Sequence, residues 1–398
     1  MKVLSFSYCF PNHARPTWGV FVQQRLAALA QRTDLQVAAP VPSLPILSRM
    51  RPWPGPAKEQ WHGLMVHRPR FFCVPGLLKN HDGRLYARGL RGWLTELCRS
   101  WRPDVLDAHF AWPDGVGVSL LGRQFGLPYA ITLRGKIYPC MDIPSQRNQC
   151  AEALAGAGAV ICVSGPLAET ARELGAEAGR VFVIPNGVDT EQFCPRDKAE
   201  ARRELRLPAE GRLLVTVAHL GPRKGHREVI QALKQLPPDV RLVIVGQSAQ
   251  GGGGPELLAL ADELGLGGRV ILAGPQPYAK VPLYFSAANA SVLASYREGC
   301  PNVVIESLAC GTPVVATRVG AVPDLVTPGV NGEIVPPRQV QPLAEALSAT
   351  LERQWSADTV SRSPSVRSWS AVAEKVHAVL ARVAEAPASM KPSARPDR

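Results

Sequence analysis

Two glutamates eight positions apart, Glu298 and Glu306, are the side chains best suited to chemistry in this sequence. The residues between them read Gly-Cys-Pro-Asn-Val-Val-Ile, which predicts a tight turn and then the first turn of a helix. Pro301 suits the first helical position, because a proline lacks the amide hydrogen that would be unpaired there. The amides of Asn302 and Val303 would then form an anion site, with one carboxylate on each side of a bound diphosphate. The spacing indicates a site for a phosphorylated sugar.

A second candidate phosphate site lies in the loop after a predicted strand at 213–218. The loop, residues 218–226, reads Ala-His-Leu-Gly-Pro-Arg-Lys-Gly-His and leads into an amphipathic helix. A strand, then glycines and cations, then a helix N-terminus suits a phosphate. The loop has neither the GxxxxGK[ST] nor the GxGxxG spacing. Lys224 alone would more often be a solvated loop lysine, and the glutamate pair favours a functional role for it.

Weaker candidates follow three predicted elements in the first half of the chain. Gly19 opens a helix after the first strand and would permit close backbone approach to a ligand phosphate, although glycines commonly flank helices. His109 and Arg134 end predicted strands, at the edge where parallel sheets bind ligands. Arg134 could neutralise a phosphate or simply cap a strand at the surface, and His109 could bind ligand or be an ordinary packed or surface histidine.

Short apolar runs alternate with helical patterns along the whole chain, which predicts parallel strands joined by crossover helices. The fold class is therefore α/β, with two Rossmann-like, doubly wound parallel sheets. Strands are predicted at 3–8, 35–41, 65–72, 105–110, 129–134, 160–164, 181–184, 213–218, 242–245, 270–273, 290–294 and 314–317. Helices are predicted near 19–32, 82–100, 114–125, 145–157, 165–175, 226–236, 255–265, 279–288, 301–310, 339–353 and 369–383.

The length of 398 residues suggests two domains of roughly 180 residues each. We predict a first domain at 1–188 and a second at 189–368, because Asn186-Gly187 is a turn signal followed by charged, weakly periodic sequence. That dipeptide is the expected hinge. The Pro-, Ala-, Ser- and Arg-rich tail at 386–398 is expected to be disordered.

The net charge of +12 is concentrated in one segment. Residues 45–102 carry eleven lysines and arginines against three acids, a surplus of eight. Within it, the Pro-rich stretch at 42–54 places apolar residues beside Arg49 and Arg51, as an anionic membrane surface or a lipid-linked phosphate would require. The alternative is a loop packed on its own domain. No nucleic-acid partner is expected, because helix-turn-helix, zinc-finger and aromatic RNA-binding signatures are missing.

Targeting and metal signals are also missing from the sequence. No apolar run approaches the ~20 residues that a membrane span needs, and the N-terminal run is a poor signal peptide. Nine scattered cysteines without a CxxC pair suggest a reducing compartment and no zinc site. We therefore expect a cytoplasmic protein, with the inner face of the membrane as a docking place through 45–102.

Taken together, these residues resemble glycosyltransferase family 4, the retaining enzymes of the GT-B fold. The resemblance runs from Gly19 through Ile184-Pro-Asn-Gly-Val-Asp189 to the helix at Ser368-Trp369, and the glutamate pair is its specific part. It implies two domains facing a cleft, with a nucleotide-sugar donor on the second and a glycan or lipid-linked acceptor on the first. It also implies that the last helix, 369–385, crosses back to complete the first domain.

The resemblance also implies roles for individual residues. Glu306 would hold the ribose, Glu298 the donor sugar and Lys224 the diphosphate, while His109 would lie beside the donor sugar. The implied catalytic set is Glu298, His109 and Lys224; the donor-binding set is Gly19, Arg223, Lys224, Gly299, Cys300, Pro301, Asn302, Val303 and Glu306; Gly274, Pro275, Gln276 and Pro277 would line the base; and Arg134 could contact acceptor or phosphate.

One position departs from the family pattern. The diphosphate is usually held by an arginine and a lysine, and the arginine position falls on His219 here. Arg223 could supply the missing cation, His219 could do so when protonated, or donor binding could be weaker than usual. We favour Arg223, because a histidine of ordinary pKa is mostly neutral at pH 7.

No DxD-like acidic cluster is apparent, so we expect no metal and no cofactor, with fixed cations and helix amides stabilising the leaving diphosphate. The resemblance implies retention of anomeric configuration through front-face attack. Two alternatives remain open at this point: a GT-B nucleotide-sugar epimerase, and a non-catalytic nucleotide-sugar-binding scaffold, for which His219 is the hint.

Overall fold

The computed structural model describes residues 1–44, 55–74, 76–248 and 253–385. The chain divides into two compact units. The first unit is Met1–Asn186 together with the segment from Trp369 onward, and the second is Gly187–Ser368. The predicted end of the first domain, at residue 188, lies two residues beyond the observed division, and the predicted disordered tail at 386–398 lies outside the described residues.

The first unit is built on an eight-stranded sheet of order β10-β9-β8-β7-β1-β2-β5-β4, in which only β4 and β5 pair antiparallel among the described strands. The three central strands β7, β8 and β9 are buried on both faces, as expected for a parallel sheet covered by helices. The strands are Lys2–Phe6 (β1), Asp34–Ala38 (β2), Val41–Ser43 (β3), Lys58–Trp61 (β4), Leu64–His67 (β5), Arg70–Phe72 (β6), Val105–Ala108 (β7), Tyr129–Leu133 (β8), Ala159–Cys162 (β9) and Val181–Val183 (β10).

The helices of this unit cover the sheet. They are Val20–Ala30 (α1), Asp82–Ser100 (α2), Val116–Phe125 (α3), Tyr138–Met141 (α4), Pro144–Ala155 (α5) and Gly165–Glu173 (α6). The single strand predicted at 65–72 is wrong: it is two strands, β5 and β6, which belong to different sheets. Pro69 lies between them, and a proline cannot donate to a sheet ladder. Strands β3 and β4 had no clear alternating pattern and were not predicted.

The second unit is a six-stranded, all-parallel sheet of order β13-β12-β11-β14-β15-β16. Strand order reverses between β11 and β14, and ligands of such sheets bind where the order reverses, at the carboxyl ends of the strands. The strands are Arg212–Val217 (β11), Val240–Val245 (β12), Val270–Gly274 (β13), Ala290–Leu293 (β14), Val314–Thr317 (β15) and Gly332–Val335 (β16). The unpredicted β16 reads Gly-Glu-Ile-Val, too short for an alternating pattern to show.

Helices lie on both faces of this sheet, and the last helix of the chain returns to the first unit. They are Lys198–Glu204 (α7), His226–Leu233 (α8), Gly254–Glu263 (α9), Val281–Ala287 (α10), Asn302–Ala309 (α11), Val322–Leu325 (α12), Val340–Glu352 (α13), Ala357–Ser361 (α14) and Trp369–Glu385 (α15). The predicted α/β class with two parallel sheets is confirmed.

Two apolar layers flank the second sheet and fix the elements that carry the predicted site. Val304, Ile305 and Leu308 of α11 pack in one of them. Ile230 and Leu233 of α8 pack in the other. The loops that begin these two helices are therefore held at one edge of the sheet from opposite faces.

The C-terminal helix α15 contributes to the core of the first unit. Val376 and Leu380 of α15 share one buried cluster with Leu26 and Leu29 of α1. Among the described residues, no helix is both long enough and apolar enough to cross a membrane.

Candidate functional site

The loop between β11 and α8 brings Lys224 to Glu298. Pro222–Lys224 form one turn of 3-10 helix, and Gly225 follows in the left-handed conformation with φ of 69°. A Cβ at Gly225 would lie 2.1 Å from the carbonyl oxygen of Ala294, so only glycine lets the loop pack against the end of β14. The Nζ of Lys224 consequently lies 2.5 Å from Oε1 of Glu298.

This ion pair joins two residues that were predicted to bind different parts of the donor. Lys224 was predicted to bind the diphosphate and Glu298 the donor sugar. The side chains of Lys224 and Glu298 are 29% and 14% exposed, so both are accessible from solvent yet partly desolvated. The carboxylate neutralises the cation predicted to hold a diphosphate. A diphosphate that binds Lys224 must therefore share or displace Glu298.

The segment from Glu298 to Pro301 leads into α11 through backbone contacts with a neighbouring loop. The carbonyl of Gly299 accepts a hydrogen bond from the N–H of Ala321 at 2.8 Å. A Cβ at Gly320 would lie 2.4 Å from the carbonyl oxygen of Glu298, so these loops are in backbone contact. Placing Pro301 at the first helical position was wrong by one residue, because Pro301 is the extended N-cap and α11 begins at Asn302. Cys300, Asn302 and Val303 are each partly buried at this helix start.

Glu306 lies on α11 one turn into the helix and is almost completely buried, with 6% of its surface exposed. The hydroxyl of Tyr278 donates a hydrogen bond to its Oε1 at 2.9 Å. Burial raises the pKa of Glu306 from 4.5 to about 7, and the tyrosine hydrogen bond opposes that rise. The carboxyl group is therefore close to the boundary between its acid and its ionised form at neutral pH.

The loop predicted to line a base, Gly274 to Pro277, follows β13 at the same edge of the sheet. Gly274 has φ of 69°, and its carbonyl accepts a hydrogen bond from the N–H of Gly246 at 2.9 Å. The side-chain amide of Gln276 donates to the carbonyl of Ala273 at 2.7 Å, which closes the loop on itself. Pro275 and Pro277 are exposed. The loop exposes two prolines beside the tyrosine that contacts Glu306.

The two candidates for the second phosphate-binding cation, His219 and Arg223, both have exposed side chains. The loop that carries them is held by its backbone: the carbonyl of His219 lies 3.2 Å from Nε2 of His226, and the carbonyl of Arg223 accepts from the N–H of Tyr296 at 2.8 Å. The backbone of Arg223 is thus anchored close to Lys224 while its guanidinium extends into solvent.

In the first unit, His109 follows β7 and is fully buried. Its Nε2 lies 3.0 Å from Oδ2 of Asp107. Burial lowers the pKa of His109 to about 4 although Asp107 acts in the opposite direction, so the imidazole is neutral at pH 7. Burial acts to raise the pKa of Asp107, but His109, Arg25 and Ser5 together hold it well below its usual range. An exposed surface position for His109 is excluded.

Arg134 and Gly19 are also engaged inside the first unit. Arg134 is buried, donates to Oδ1 of Asn186 at 2.9 Å and has its guanidinium 4.8 Å from the ring centre of Phe21. The interpretation of Arg134 as a surface cap is therefore wrong. Gly19 precedes α1 with φ of 80°, and a Cβ there would lie 2.2 Å from the carbonyl oxygen of Cys9. The close backbone approach made by Gly19 is to Cys9, and its contact with a ligand stays a prediction.

Two family models match this chain, one in each half. The model described as Glycosyltransferase Family 4 matches residues 10–192, and the model described as Glycosyl transferases group 1 matches residues 197–363. TuaC of Bacillus subtilis (strain 168), a glycosyltransferase named for teichuronic acid biosynthesis, is 31% identical over 363 residues, 87% of this chain and 88% of TuaC. The chain belongs to glycosyltransferase family 4. The prediction that it is a glycosyltransferase is thereby confirmed.

Further relatives of this family 4 glycosyltransferase match part of its sequence or its whole fold. A D-inositol 3-phosphate glycosyltransferase of Mycobacterium tuberculosis is 37% identical over 179 residues, 44% of this chain and 37% of that enzyme. A sucrose-phosphate synthase from Thermosynechococcus elongatus superposes with a TM-score of 0.79 at 23% identity, covering 96% of this chain and 98% of the other. HepE of Anabaena, solved with UDP and glucose, superposes with a TM-score of 0.74 at 22% identity, covering 96% of this chain and 99% of HepE. The predicted GT-B fold is confirmed.

Tyr278 was not predicted from the sequence, although its hydroxyl contacts Glu306 in the candidate site. The signal was present but weak: an aromatic residue directly after the predicted base loop, at the carboxyl end of a parallel strand. Among the described residues, no group of three or more histidine, cysteine, aspartate or glutamate side chains is arranged to hold a metal ion.

The basic segment 45–102 is described except for residues 45–54 and 75, so most of the Pro-rich stretch lies outside the described residues. In the remainder, three large apolar side chains are exposed: Phe72 at 41%, Leu77 at 66% and Leu78 at 53%. They lie just before α2, and its exposed face carries arginines at 84, 88, 91 and 99. The exposed apolar side chains and the exposed arginines of α2 are therefore close to one another in sequence.

Proposed function

We propose that this enzyme transfers a sugar, with retention of anomeric configuration and without a divalent metal, from a nucleoside-diphosphate sugar to a glycan or lipid-linked acceptor. The observation that carries the proposal is the Lys224–Glu298 ion pair at the carboxyl edge of the second sheet, where the strand order reverses. In this pair, a cation that would bind phosphate and a carboxylate that would bind sugar hydroxyls lie within one hydrogen-bond length of each other.

The donor would be held along the same edge of the second sheet. Lys224 would bind the diphosphate, with Arg223 as the second cation, since its backbone is anchored and its side chain is exposed. The backbone amides from Gly299 to Val303 would add dipoles at the start of α11. Glu306 would accept hydrogen bonds from the ribose, and the loop at 274–277 would line the base. HepE was solved with UDP-glucose, which makes UDP-sugars the first donors to test.

The chemistry requires charge stabilisation more than strong acid or base catalysis. The bond between the anomeric carbon and the diphosphate oxygen breaks, and the acceptor oxygen bonds to that carbon on the same face. The acceptor proton passes to the departing phosphate oxygen. Lys224 and Arg223 would stabilise the negative charge that develops on the diphosphate. His109 is neutral at pH 7 and fixed beside Asp107, and its role beside the donor sugar stays a prediction because its side chain is fully buried.

The acceptor side would use the first unit and its basic segment. Exposed Phe72, Leu77 and Leu78 beside the arginine-bearing face of α2 suit an anionic membrane surface that carries a lipid-linked acceptor. TuaC, the relative named for teichuronic acid biosynthesis, supports a polymer or lipid-linked acceptor over a small molecule. Sedimentation with liposomes that contain or lack anionic lipid tests this part, and equal recovery in the supernatant for both would refute it.

A donor screen tests the central proposal. Thermal shifts with UDP-, GDP- and ADP-sugars should identify one nucleotide that raises the melting temperature, because stabilisation follows donor affinity. Transfer with that donor, followed by NMR of the anomeric centre, should show retention, and EDTA should leave the rate unchanged. Inverted product would refute the stereochemical part. Activity that is abolished by EDTA and restored by manganese would refute metal independence.

A further inference from the structure

Tyr278 connects the loop predicted to line the base with the glutamate predicted to hold the ribose. It begins the single 3-10 turn Tyr278–Lys280, directly after Pro277. Its hydroxyl donates to Oε1 of Glu306 at 2.9 Å, across 28 positions of sequence. Any displacement of the loop would therefore be transmitted to one oxygen of the buried carboxylate.

Tyr278 is itself held by the first segment of the second unit. Its ring packs against that of Phe193, with the two centres 5.3 Å apart, and Phe193 is buried. Its carbonyl accepts from the side-chain amide of Gln192 at 3.1 Å. The N–H groups of Glu191 and Gln192 both donate to Oδ1 of Asp189, which fixes that turn. The ring and backbone of Tyr278 are thus fixed independently of its hydroxyl.

We propose that Tyr278 is a positioning residue that orients the Glu306 carboxylate for the nucleotide, so that its hydroxyl determines nucleotide affinity. The inference rests on the proposed ribose-binding role of Glu306. With Oε1 bound to the tyrosine, Oε2 remains for the ligand, in an orientation set by the protein. A preorganised carboxylate loses less conformational freedom on binding than a mobile one.

Burial makes the tyrosine hydrogen bond matter more than it would on the surface. A carboxylate that is buried and then loses its donor retains the full cost of desolvation. It would rotate away from the ligand or take up a proton. Another titratable group next to Glu306 is Cys310, one turn further along α11, whose own neighbours include Cys194 and Arg196. Among the described residues, the side chains of Cys194, Arg196 and Cys310 make no hydrogen bond to the Glu306 carboxylate that could replace the tyrosine hydroxyl.

The test is a double-mutant cycle on the full-length protein with UDP titrated by calorimetry. Tyr278→Phe removes one oxygen and keeps the ring on Phe193, so the fold should be retained. We expect it to weaken UDP binding by about tenfold or more, as for the loss of a hydrogen bond to a charged group. In the Glu306→Ala background the same substitution should add almost nothing. Tyr129→Phe, which removes a hydroxyl bonded to the carbonyl of Ala153 in the first unit, is the matched control and should bind UDP as the wild type does.

The pH dependence of UDP binding gives a second measurement, because general destabilisation of the protein would not shift its midpoint. UDP binding to the wild type should weaken as the pH falls through the pKa of Glu306, because the ionised carboxylate is the better acceptor. In Tyr278→Phe the midpoint should shift to higher pH, since the hydrogen bond that favours the ionised form is lost. Melting temperatures of all variants are measured in parallel, and titrations are run well below the lowest of them.

The outcomes separate this inference from the proposed function. If Glu306→Ala binds UDP as the wild type does, the ribose-binding role and the proposed donor site fail. If Glu306→Ala weakens binding while Tyr278→Phe changes neither affinity nor midpoint, the inference is overturned and the donor site stands. An equal loss from Tyr278→Phe in both backgrounds would also overturn it, because the tyrosine would then act independently of Glu306.

Discussion

Glu298→Gln separates two effects of the Lys224–Glu298 ion pair and is the most informative single substitution. Glutamine keeps the size of the side chain and its hydrogen-bonding capacity but removes the negative charge. Nζ of Lys224 lies 2.5 Å from Oε1 of Glu298, so the cation is neutralised by the carboxylate. If a diphosphate replaces the carboxylate on Lys224, removing the charge of Glu298 should strengthen the binding of UDP that carries no sugar.

The size of the effect follows from distance and exposure. At 2.5 Å in a medium as polar as water, two unit charges attract by about 1.7 kcal/mol, and a lower effective dielectric constant would raise this figure. Solvation and side-chain entropy offset much of it, since the two side chains are 29% and 14% exposed. Measured pairs of this kind contribute up to about 1 kcal/mol, so the dissociation constant of UDP should fall by about fivefold. Transfer should nevertheless slow, because the donor sugar loses its carboxylate partner.

Calorimetric titration of UDP against the wild type and Glu298→Gln measures the effect, and transfer assays at saturating donor give the rate. Asp239→Asn is the control: it breaks the ion pair with Arg212 at the opposite, amino end of the second sheet and changes the net charge equally. It should leave UDP affinity unchanged. Unchanged or weaker UDP binding by a folded Glu298→Gln would refute the idea that the carboxylate competes with the diphosphate for Lys224.

Three further predictions concern the same unit. Lys224→Ala should lower the transfer rate by about 100-fold or more, as for the loss of one charge-stabilising donor, and an unchanged turnover number in a folded variant would remove Lys224 from the mechanism. Gly225→Ala should destabilise the protein by about 1–3 kcal/mol in denaturant unfolding, because its Cβ would lie 2.1 Å from the carbonyl oxygen of Ala294 at positive φ. Gly221→Ala, with no atom within 4 Å of its added Cβ, should change little, and equal midpoints for the two variants would contradict the packing argument. Burial raises the pKa of Glu306 from 4.5 to about 7, so its contribution to stability is complete below about pH 4.5 and is lost as the pH rises through about 7. As the pH rises from about 4.5 to about 7, the melting temperature of Glu306→Gln should therefore fall less than that of the wild type. Parallel curves for the two proteins would show that folding does not raise the pKa of Glu306.

Local patterns in the sequence were sufficient for the fold class, and they also predicted the chemical character of the site. The alternation of apolar strands with amphipathic helices predicted two parallel sheets, because burial on both faces demands that pattern. The spacing between Glu298 and Glu306 predicted a turn and a helix start, and the cations of the loop at 218–226 predicted a phosphate site. Errors arose where local signals are weakest. The start of α11 was misplaced by one residue at Pro301, the break between β5 and β6 at Pro69 was not predicted, and the short strand β16 was missed.

Tertiary structure alone decided which of these groups meet and how they ionise. Lys224 and Glu298 are 74 residues apart, and they pair because β11 and β14 are neighbours in the sheet, an order that no local pattern specifies. The link from Tyr278 to Glu306 depends in the same way on packing between the loop after β13 and helix α11. Burial then sets the protonation of His109 and Glu306, because desolvation depends on everything that surrounds a side chain and not on its neighbours in sequence.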